Sequence, residues 1–473
     1  MKPLFLLSAF SISRTVWGTS WIVPGAVWYD TAGQKIDAHG GGVVQRGSTW
    51  YWVGYSASDS ETDDRGTEDQ TPLMYQSTDL VNWENLGKQA PSVTGMWRPK
   101  FASPNGSSFW LYGQQDRNVL SLSSSQFVGG YSQKAKGLLP PNKYSYSDTG
   151  MFLDEATNVW YLLTSADHNT VQINKINSDG SIGSLASTLT KGAYEAPGIL
   201  ESDGIYFLIV SGKTGYRANA NQAFWATSPA GPWTGPSDVA PPAEKTYNSQ
   251  NTYEFAVAGS QATTYVYMGD AWDSKGTEAS NYVWLPVAVD AKAKKVTLQY
   301  HAMWKVDPVT GVVSYPATRK RYAAAEAEMS GRDGVVVPMA ADRCFGGDEN
   351  VCAAAATTDS DNNIKQQRTM VHRLRTGDEV TFRNVTGRFK TPHEWVSVRY
   401  TVNDPDAGEA YIKVNDQTTP VNLSEYNSRA GYHHMVPVRL RLDEGDVNTI
   451  TLGAIGTAGF EMEVEGLELH EDD

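Results

Sequence analysis

The sequence predicts an all-β protein in which a five-bladed β-propeller precedes a jelly-roll-like β-sandwich module. Aromatic residues make up 11% of the 473 residues, alongside 43 glycines and 22 prolines, and this mixture favours short strands joined by tight turns. An aromatic segment also recurs along the first part of the chain. After Val313 the composition changes, and alternating strand patterns replace the repeats. A chain of this length is expected to form two domains.

The recurring segment is aromatic and β-rich, and it follows a turn each time. Its copies span residues 46–55, 104–113, 155–165, 201–212 and 259–270. They lie roughly 45 to 60 residues apart, close to the period of a four-stranded propeller blade. Five copies therefore predict five blades in a domain at residues 19–315; a β-sandwich with irregular repeats is the alternative. Two further segments, Ser77 to Trp83 and Ser228 to Trp233, are predicted to be turns that lead into outer strands.

The second region, residues 316–473, contains alternating strand patterns at 395–402, 411–414 and 460–469. About 150 residues with such patterns suit a compact β-sandwich module.

The N-terminal residues 1–18 predict a signal peptide, because a lysine precedes a short apolar run and small residues follow at cleavage spacing. A buried strand is the alternative, and Arg14 within the run is the main objection to a signal peptide. Secretion is the expected destination. In an oxidising compartment Cys344 and Cys352, the two cysteines of the chain, could close one small loop.

The charge of the chain excludes two classes of partner. Its formal net charge is −14, and no basic stripe interrupts the acidic composition. Nucleic-acid binding depends on neutralising phosphates, and anionic membrane surfaces recruit polybasic segments. The sequence also lacks a second apolar run of membrane-spanning length. We therefore expect neither nucleic acid nor membrane as a partner.

Three segments place polar residues where strands are predicted to begin. Glu195 lies between apolar neighbours, where burial would raise the pKa of its carboxyl, as a general acid requires. Asp148 and Gln250 occupy similar positions in two other repeats. Structural roles remain open for all three: a salt-bridge partner for Glu195, a turn cap for Asp148 and a backbone clamp for Gln250.

Taken in order, a series of short segments makes the chain resemble the exo-β-1,3-galactanase branch of glycoside hydrolase family 43, joined to a carbohydrate-binding module of family 35. The resemblance covers the whole chain and implies a five-bladed propeller. It rests on Ala38–Gly42, Tyr51–Trp52, Ser77–Trp83, Arg98–Lys100, Ser147–Asp148, Glu195–Gly198, Tyr206–Ile209, Ala230–Trp233, Ser249–Asn251 and Tyr267–Asp270.

The resemblance implies catalytic roles for three residues. Glu195 matches the general acid, and Asp148 matches the carboxylate that orients this acid and raises its pKa by like-charge repulsion. Gln250 matches the residue that acts as base, as an imidic-acid tautomer, or that positions the water. Asp37, two residues before His39 on the same strand face, is the alternative base. The family inverts configuration, and no cofactor is expected for catalysis.

The chain departs from this branch at two substrate-binding glutamates. Trp97 and Tyr55 stand in their places, whereas Thr214 is retained. An aromatic ring can stack on a sugar but cannot replace charge-assisted hydrogen bonds. These changes predict an altered glycan or linkage rather than an inactive protein. His39 is expected to be either a structural hydrogen-bonding residue or a sugar contact, and Asp270 is expected to be structural.

In the second region the resemblance implies a structural calcium site. Glu326 and Glu328 match a Glu-x-Glu motif, and Glu465 stands where the family has an aspartate. Oxygen ligands of this kind suit calcium. An exposed acidic strand is the alternative.

The sequence thus predicts a monomeric, secreted, inverting exo-glycoside hydrolase with a polysaccharide substrate, β-1,3-galactan or a related plant-type galactan. A non-catalytic glycan-binding propeller is one alternative. An arabinofuranosidase or xylosidase of the wider family is another, which the absence of an Asp-Pro-type base in the first repeat disfavours.

Overall fold

The computed structural model describes residues 20–56, 70–167, 169–190, 192–215, 218–272, 280–331, 334–338, 369–388, 393–403, 407–423 and 434–471. Residues 1–18, Cys344 and Cys352 lie outside these ranges, so the signal peptide and the disulfide remain predictions. The described residues form many strands and almost no helix, which confirms the all-β prediction. No helix among them is long and apolar enough to cross a membrane.

The first part of the chain forms five four-stranded antiparallel sheets among the described residues, each with its strands in chain order. Their strands are β1 (His39–Arg46), β2 (Thr49–Tyr55), β3 (Pro72–Ser77) and β4 (Glu84–Lys88); β5 (Trp97–Ala102), β6 (Phe109–Gln115), β7 (Asn118–Ser124) and β8 (Ser132–Gly137); β9 (Tyr146–Asp154), β10 (Val159–Ala166), β11 (Thr170–Ile176) and β12 (Ile182–Leu189); β13 (Tyr194–Ser202), β14 (Ile205–Gly212), β15 (Gln222–Ala226) and β16 (Thr234–Asp238); and β17 (Gln250–Ala258), β18 (Thr263–Ala271), β19 (Asn281–Asp290) and β20 (Lys295–Leu298). A 3-10 turn (Pro242–Glu244) and a four-residue helix α1 (Lys245–Asn248) precede β17.

Each recurring aromatic segment forms the second strand of one sheet, namely β2, β6, β10, β14 and β18. These strands are rich in aromatic and β-branched residues, which pack well on a pleated, buried surface. In the first sheet Trp50 and Trp52 are both buried, and the Trp52 ring contacts Trp83 edge-on, with the ring centroids 5.4 Å apart. The two predicted turn segments lead into β4 and β16, the outermost strands of their sheets.

The first strands of successive sheets contact one another, β1 with β5, β5 with β9, β9 with β13 and β13 with β17, and β17 contacts β1 in turn. The contacts between the five first strands therefore form a closed ring. Gly198 of β13 faces Glu254 of β17 so closely that a Cβ atom on Gly198 would lie 1.9 Å from Glu254 Oε2. This close approach requires glycine.

The remaining strands of the chain are short at first and then assemble into two sheets. They are β21 (Lys305–Val306), β22 (Val313–Ser314), β23 (Thr318–Ala323), β24 (Glu328–Ser330), β25 (Val335–Pro338), β26 (Thr369–Arg375), β27 (Glu379–Gly387), β28 (Glu394–Val402), β29 (Gly408–Val414), β30 (Val421–Asn422), β31 (His434–Leu440), β32 (Gly445–Gly456) and β33 (Glu461–His470), with a 3-10 turn at Ala324–Glu326.

One of these sheets has the order β25-β26-β33-β28-β31, with β23 also paired to β33, and the other has the order β24-β27-β32-β29-β30. Both contribute to a single buried apolar cluster, in which Val398 and Leu467 come from the first sheet and Phe382 and Ile450 from the second. The predicted boundary at residue 315 falls between β22 and β23.

Candidate active site

All five first strands are irregular near their N-terminal ends. Their pairing with the second strand shifts register beside Gly40, Arg98, Asp148, Ala196 and Thr252. The first four of these residues also have positive φ angles, between 21° and 57°. Such bulges redirect side chains and are common next to active sites. These bulges bring Glu195, Asp148 and Gln250 together.

The Glu195 carboxyl is largely buried, with 18% of the side chain exposed. Its Oε1 accepts a hydrogen bond from Gln250 Nε2 at 2.7 Å, and its Oε2 lies 3.9 Å from Lys213 Nζ. Burial and the negative charge of Asp148 raise the pKa of this carboxyl to about 7, although Arg98, Lys213 and Gln250 act in the opposite direction. Glu195 can therefore hold a proton near neutral pH, as the predicted general acid must.

Asp148 is held by two donors. Its Oδ1 lies 3.1 Å from Arg98 Nε, and its Oδ2 accepts a 2.9 Å hydrogen bond from the backbone N–H of Ala196. Asp148 thus places a negative charge beside Glu195 and binds the residue that follows it, as the predicted orienting role requires.

The Gln250 side chain connects Glu195 to Arg98 and Trp272. Its carbonyl oxygen accepts hydrogen bonds from Arg98 Nη2 and from Trp272 Nε1 at 2.8 Å, while its nitrogen donates to Glu195. Because two donors already face the oxygen, an O–H at this atom would point at other N–H groups. The geometry therefore favours the amide form over the imidic-acid tautomer.

His39 is fully buried, with 0% of its surface exposed, which favours the structural role over the sugar contact. Its Nδ1 lies 3.3 Å from Asp270 Oδ1, and its ring stacks on Tyr282 at a centroid distance of 5.0 Å. Asp270 also accepts the backbone N–H of Gly40 at 3.0 Å. Both residues therefore have structural contacts, which support the β1 bulge.

Asp37, the alternative base, is more exposed than His39, at 15% of its side chain. Its Oδ2 accepts a hydrogen bond from Ser56 Oγ at 2.6 Å, and its Oδ1 lies 3.7 Å from His39 Nε2. These contacts place Asp37 at the start of the first sheet.

The two aromatic replacements differ in exposure. Tyr55 is only 1% exposed, because Trp97 lies against it at a centroid distance of 5.0 Å and Trp272 stacks on it at 6.4 Å. The Tyr55 ring is therefore covered in this structure, and a substrate contact by Tyr55 remains a prediction. Trp97 is partly exposed and is the member of this aromatic cluster that can offer a face to a sugar.

Thr214 is exposed and accepts a hydrogen bond from Asn219 Nδ2 at 2.9 Å. It directly follows Lys213, whose Nζ also donates to Ser165 Oγ at 2.9 Å. Thr214 thus lies next to Lys213 at the edge of the site.

The predicted calcium ligands do not come together. Glu328 pairs with Arg383, with 2.7 Å between Oε1 and Nε, and Glu465 pairs with Arg399, with 3.3 Å between Oε2 and Nε. Glu326 is exposed. In the described part of the chain no group of three or more His, Cys, Asp or Glu side chains is arranged to hold a metal ion. These carboxylates therefore do not fit the predicted site, because two of them are neutralised by different arginines.

The sequence reasoning assigned no role to three residues that hold the site together. Arg98 bridges Asp148 and Gln250, Lys213 faces Glu195, and Trp272 donates to Gln250. A signal was available for Arg98, because Arg98–Lys100 is one of the segments on which the family resemblance rests. Nothing in the local pattern marks Trp272.

The domain that carries this site matches a known family. Residues 41–272 match the family model described as glycosyl hydrolases family 43. No curated protein matches the chain in a sequence search.

The similarity of the chain to solved structures extends beyond residues 41–272. An exo-β-1,3-galactanase from Phanerochaete chrysosporium, a glutamate-to-glutamine variant with β-1,3-galactotriose, is 26% identical with a TM-score of 0.79, over 95% of this chain and 99% of that chain. The same galactanase with galactose is 26% identical with a TM-score of 0.78, over 95% and 100%. An exo-β-1,3-galactanase from Clostridium thermocellum, at 19% identity and a TM-score of 0.58 over 93% and 100%, shows similarity of fold alone.

Proposed function

We propose that the chain is a secreted, inverting exo-glycoside hydrolase that releases galactose from β-1,3-galactan or a related plant-type galactan. The observation that carries this proposal is the buried Glu195 carboxyl, whose pKa is raised to about 7, next to an Asp148 carboxylate held by Arg98 and a backbone N–H. The substrate class rests on the similarity to galactanases at 26% identity over 95% of the chain. Secretion rests on the sequence of residues 1–18.

The proposed architecture is a five-bladed propeller at residues 19–315 and a β-sandwich carbohydrate-binding module at residues 316–473. Five four-stranded sheets with mutually contacting first strands support the propeller. Two sheets that share one apolar cluster support the module.

In the proposed mechanism Glu195 protonates the departing glycosidic oxygen from Oε2, because its Oε1 is already bonded to Gln250. Asp148 keeps the proton on this acid through its negative charge. Inversion requires a water molecule to attack the opposite face of the sugar. The water oxygen bonds to the anomeric carbon as the glycosidic C–O bond breaks, Gln250 orients this water as an amide, and the proton that the water loses passes to solvent. Arg98 fixes Asp148 and Gln250 relative to each other.

The proposal is tested by product analysis after incubation with linear β-1,3-galactan, arabinogalactan, arabinan and xylan. We expect galactose from β-1,3-galactan and from arabinogalactan. Product from arabinan or xylan alone would overturn the galactan assignment in favour of an arabinofuranosidase or xylosidase. No product with retained polysaccharide binding would favour the non-catalytic binder.

We expect activity to fall as the pH rises through about 7, because Glu195 must be protonated to act as the acid and its pKa is about 7. Asp148→Asn removes the neighbouring negative charge and leaves Arg98 uncompensated, and both changes lower the pKa of Glu195. The alkaline limb of kcat/KM against pH should therefore move to lower pH in this variant. An alkaline limb that stays in place or moves to higher pH would contradict the assigned role of Asp148.

We expect Trp97→Ala to raise KM by about tenfold with little change in kcat, since loss of a stacking face worth about 1.4 kcal/mol removes binding shared by ground and transition states. Trp97→Phe keeps a ring and should restore most of the affinity. Steady-state kinetics on galacto-oligosaccharides check this prediction. Equal KM values for the alanine variant and the unmodified protein would show that Trp97 does not contact substrate.

A further inference from the structure

The four residues of α1 (Lys245–Asn248) form a left-handed turn, because their φ angles are all positive, between 43° and 59°. None of them is glycine, and this backbone is unfavourable in residues with a side chain, above all in a β-branched one such as Thr246. Such residues persist only where contacts enforce them, and they cluster at functional sites. Ser249 separates the turn from Gln250, so the contacts that enforce the turn also determine where β17 begins.

The hydroxyl of Thr246 makes two of these contacts. Thr246 is 0% exposed, and its Oγ1 accepts the backbone N–H of Asn221 at 2.8 Å and donates to the backbone oxygen of Asn219 at 3.2 Å. The hydroxyl thus acts both as donor and as acceptor. The backbone oxygen of Thr246 also accepts Ser249 Oγ at 2.6 Å. Thr246 therefore joins the start of β17 to the segment that precedes β15.

The Asn219 side chain continues this connection to Lys213. Its Oδ1 accepts the backbone N–H of Gly212 at 3.0 Å, and its Nδ2 donates to the Gly212 carbonyl at 2.8 Å. The same Nδ2 donates to Thr214 Oγ1 at 2.9 Å. The residues on both sides of Lys213 are therefore held by one amide. Lys213 Nζ in turn lies 3.9 Å from Glu195 Oε2.

The two segments that Thr246 joins supply one partner to each oxygen of the Glu195 carboxyl. Gln250 Nε2 donates to Oε1, and Lys213 Nζ faces Oε2. We propose that Thr246 is a positioning residue whose buried hydroxyl sets the places of Gln250 and Lys213 around the acid. This inference deepens the proposed glycosidase function and rests on it. Thr246 itself contacts none of the groups that would react, and it acts through the turn and through Asn219.

A positioning role of this kind has an electrostatic consequence for Glu195. The charged groups that act on it are Asp148 from β9, Arg98 from β5 and Lys213 after β14. Burial and Asp148 raise the pKa of the Glu195 carboxyl, whereas Arg98, Lys213 and the hydrogen bond from Gln250 lower it. Loss of the Thr246 hydroxyl would weaken the last two of these interactions together. The pKa of the acid would therefore rise, which a hydroxyl that only supports the fold would not cause.

The first experiment measures backbone hydrogen exchange by mass spectrometry and does not depend on activity. Thr246→Val keeps the branching of the side chain and removes its hydroxyl. We expect residues 211–215 and 219–222 to lose exchange protection in this variant and to keep it in Thr246→Ser. The matched control is Thr264→Val, since Thr264 is also buried and donates to the Gly311 carbonyl at 2.7 Å, at the end of β17 far from Gln250. Unchanged protection of both segments in Thr246→Val would overturn the proposal.

The second experiment follows hydrolysis of β-1,3-galactotriose against pH. We expect Thr246→Val to lower kcat on the order of tenfold and to move the alkaline limb of kcat/KM to higher pH. Thr246→Ser should restore both, and Thr264→Val should change neither.

Asn219→Ala breaks the connection at a partly exposed position and keeps the proposal testable if Thr246→Val does not fold. It should move the alkaline limb in the same direction, because Lys213 is no longer held near Glu195. An alkaline limb that stays in place in the folded variants would overturn the positioning role. If no glycan is hydrolysed at all, the proposed function fails, while hydrogen exchange still decides whether the Thr246 hydroxyl holds the two segments.

Discussion

Glu195→Gln is expected to lower kcat on β-1,3-galactan by about 10³- to 10⁴-fold, because the amide cannot transfer a proton to the departing glycosidic oxygen. The substitution keeps the shape of the side chain and removes the group whose pKa is raised to about 7. KM should change little, since the sugar contacts remain. The measurement is galactose release under steady-state conditions, with binding to galactan checked in parallel.

A matched control for this variant is Glu155→Gln, which makes the same substitution at an exposed turn residue between β9 and β10. It should retain full activity. A substrate with a good phenolate leaving group should suffer less from Glu195→Gln than galactan does, because its departure needs little protonation. Equal losses on both substrates would mean that Glu195 acts through something other than proton donation.

Arg98→Met is expected to lower kcat by about 10²-fold and the stability of the domain by about 3 kcal/mol, because breaking a buried ion pair leaves a charge uncompensated. The Arg98 side chain is 6% exposed, and its Asp148 partner 17%. The methionine also removes the donors to Gln250 Oε1 and to the Asn251 backbone oxygen. Two catalytic side chains would thereby lose their common anchor.

The control for this variant is Arg117→Met, at an exposed turn position between β6 and β7. It should leave both kcat and the thermal midpoint unchanged. Calorimetry and galactose release measure the two effects separately. A variant at Arg98 with unmodified stability and kcat would contradict the bridging role. Loss of stability alone would show that Arg98 supports the fold without positioning the site.

The repeated aromatic segments made the all-β fold and the second strand of each sheet predictable. Strand propensity and burial act locally there, so the pattern RGSTWYWVGY (46–55) already contains the information that makes β2 a buried strand. The segments around Glu195, Asp148 and Gln250 could be located for a similar reason. Each places a polar residue where a strand was expected to begin.

The contacts between these residues could not be predicted from the sequence. Arg98 and Ala196 reach the site because bulges with positive φ redirect the first strands. The local sequence does not indicate such bulges at residues other than glycine. The burial of His39 depends on the ring of Tyr282 in β19, and that of Tyr55 depends on the ring of Trp272, which directly follows β18. Such partners are more than two hundred residues away in the chain and follow only from the assembled sheets.

In the second region, the contacts of the predicted calcium ligands likewise could not be predicted from the sequence. Glu328 and Glu465 were grouped because their residue types match a motif. In the structure their strands belong to different sheets, and each carboxylate pairs with its own arginine, Arg383 or Arg399. Side-chain type alone did not determine which charges would meet.

The most direct test of the central claim follows the anomeric configuration of the first product. Proton NMR during early hydrolysis of β-1,3-galactotriose would show which anomer of galactose appears before mutarotation. The proposed mechanism predicts α-galactose from the unmodified protein and none from Glu195→Gln. Galactose that appears first as the β-anomer, or equal release by both proteins, would contradict an inverting hydrolase with Glu195 as its general acid.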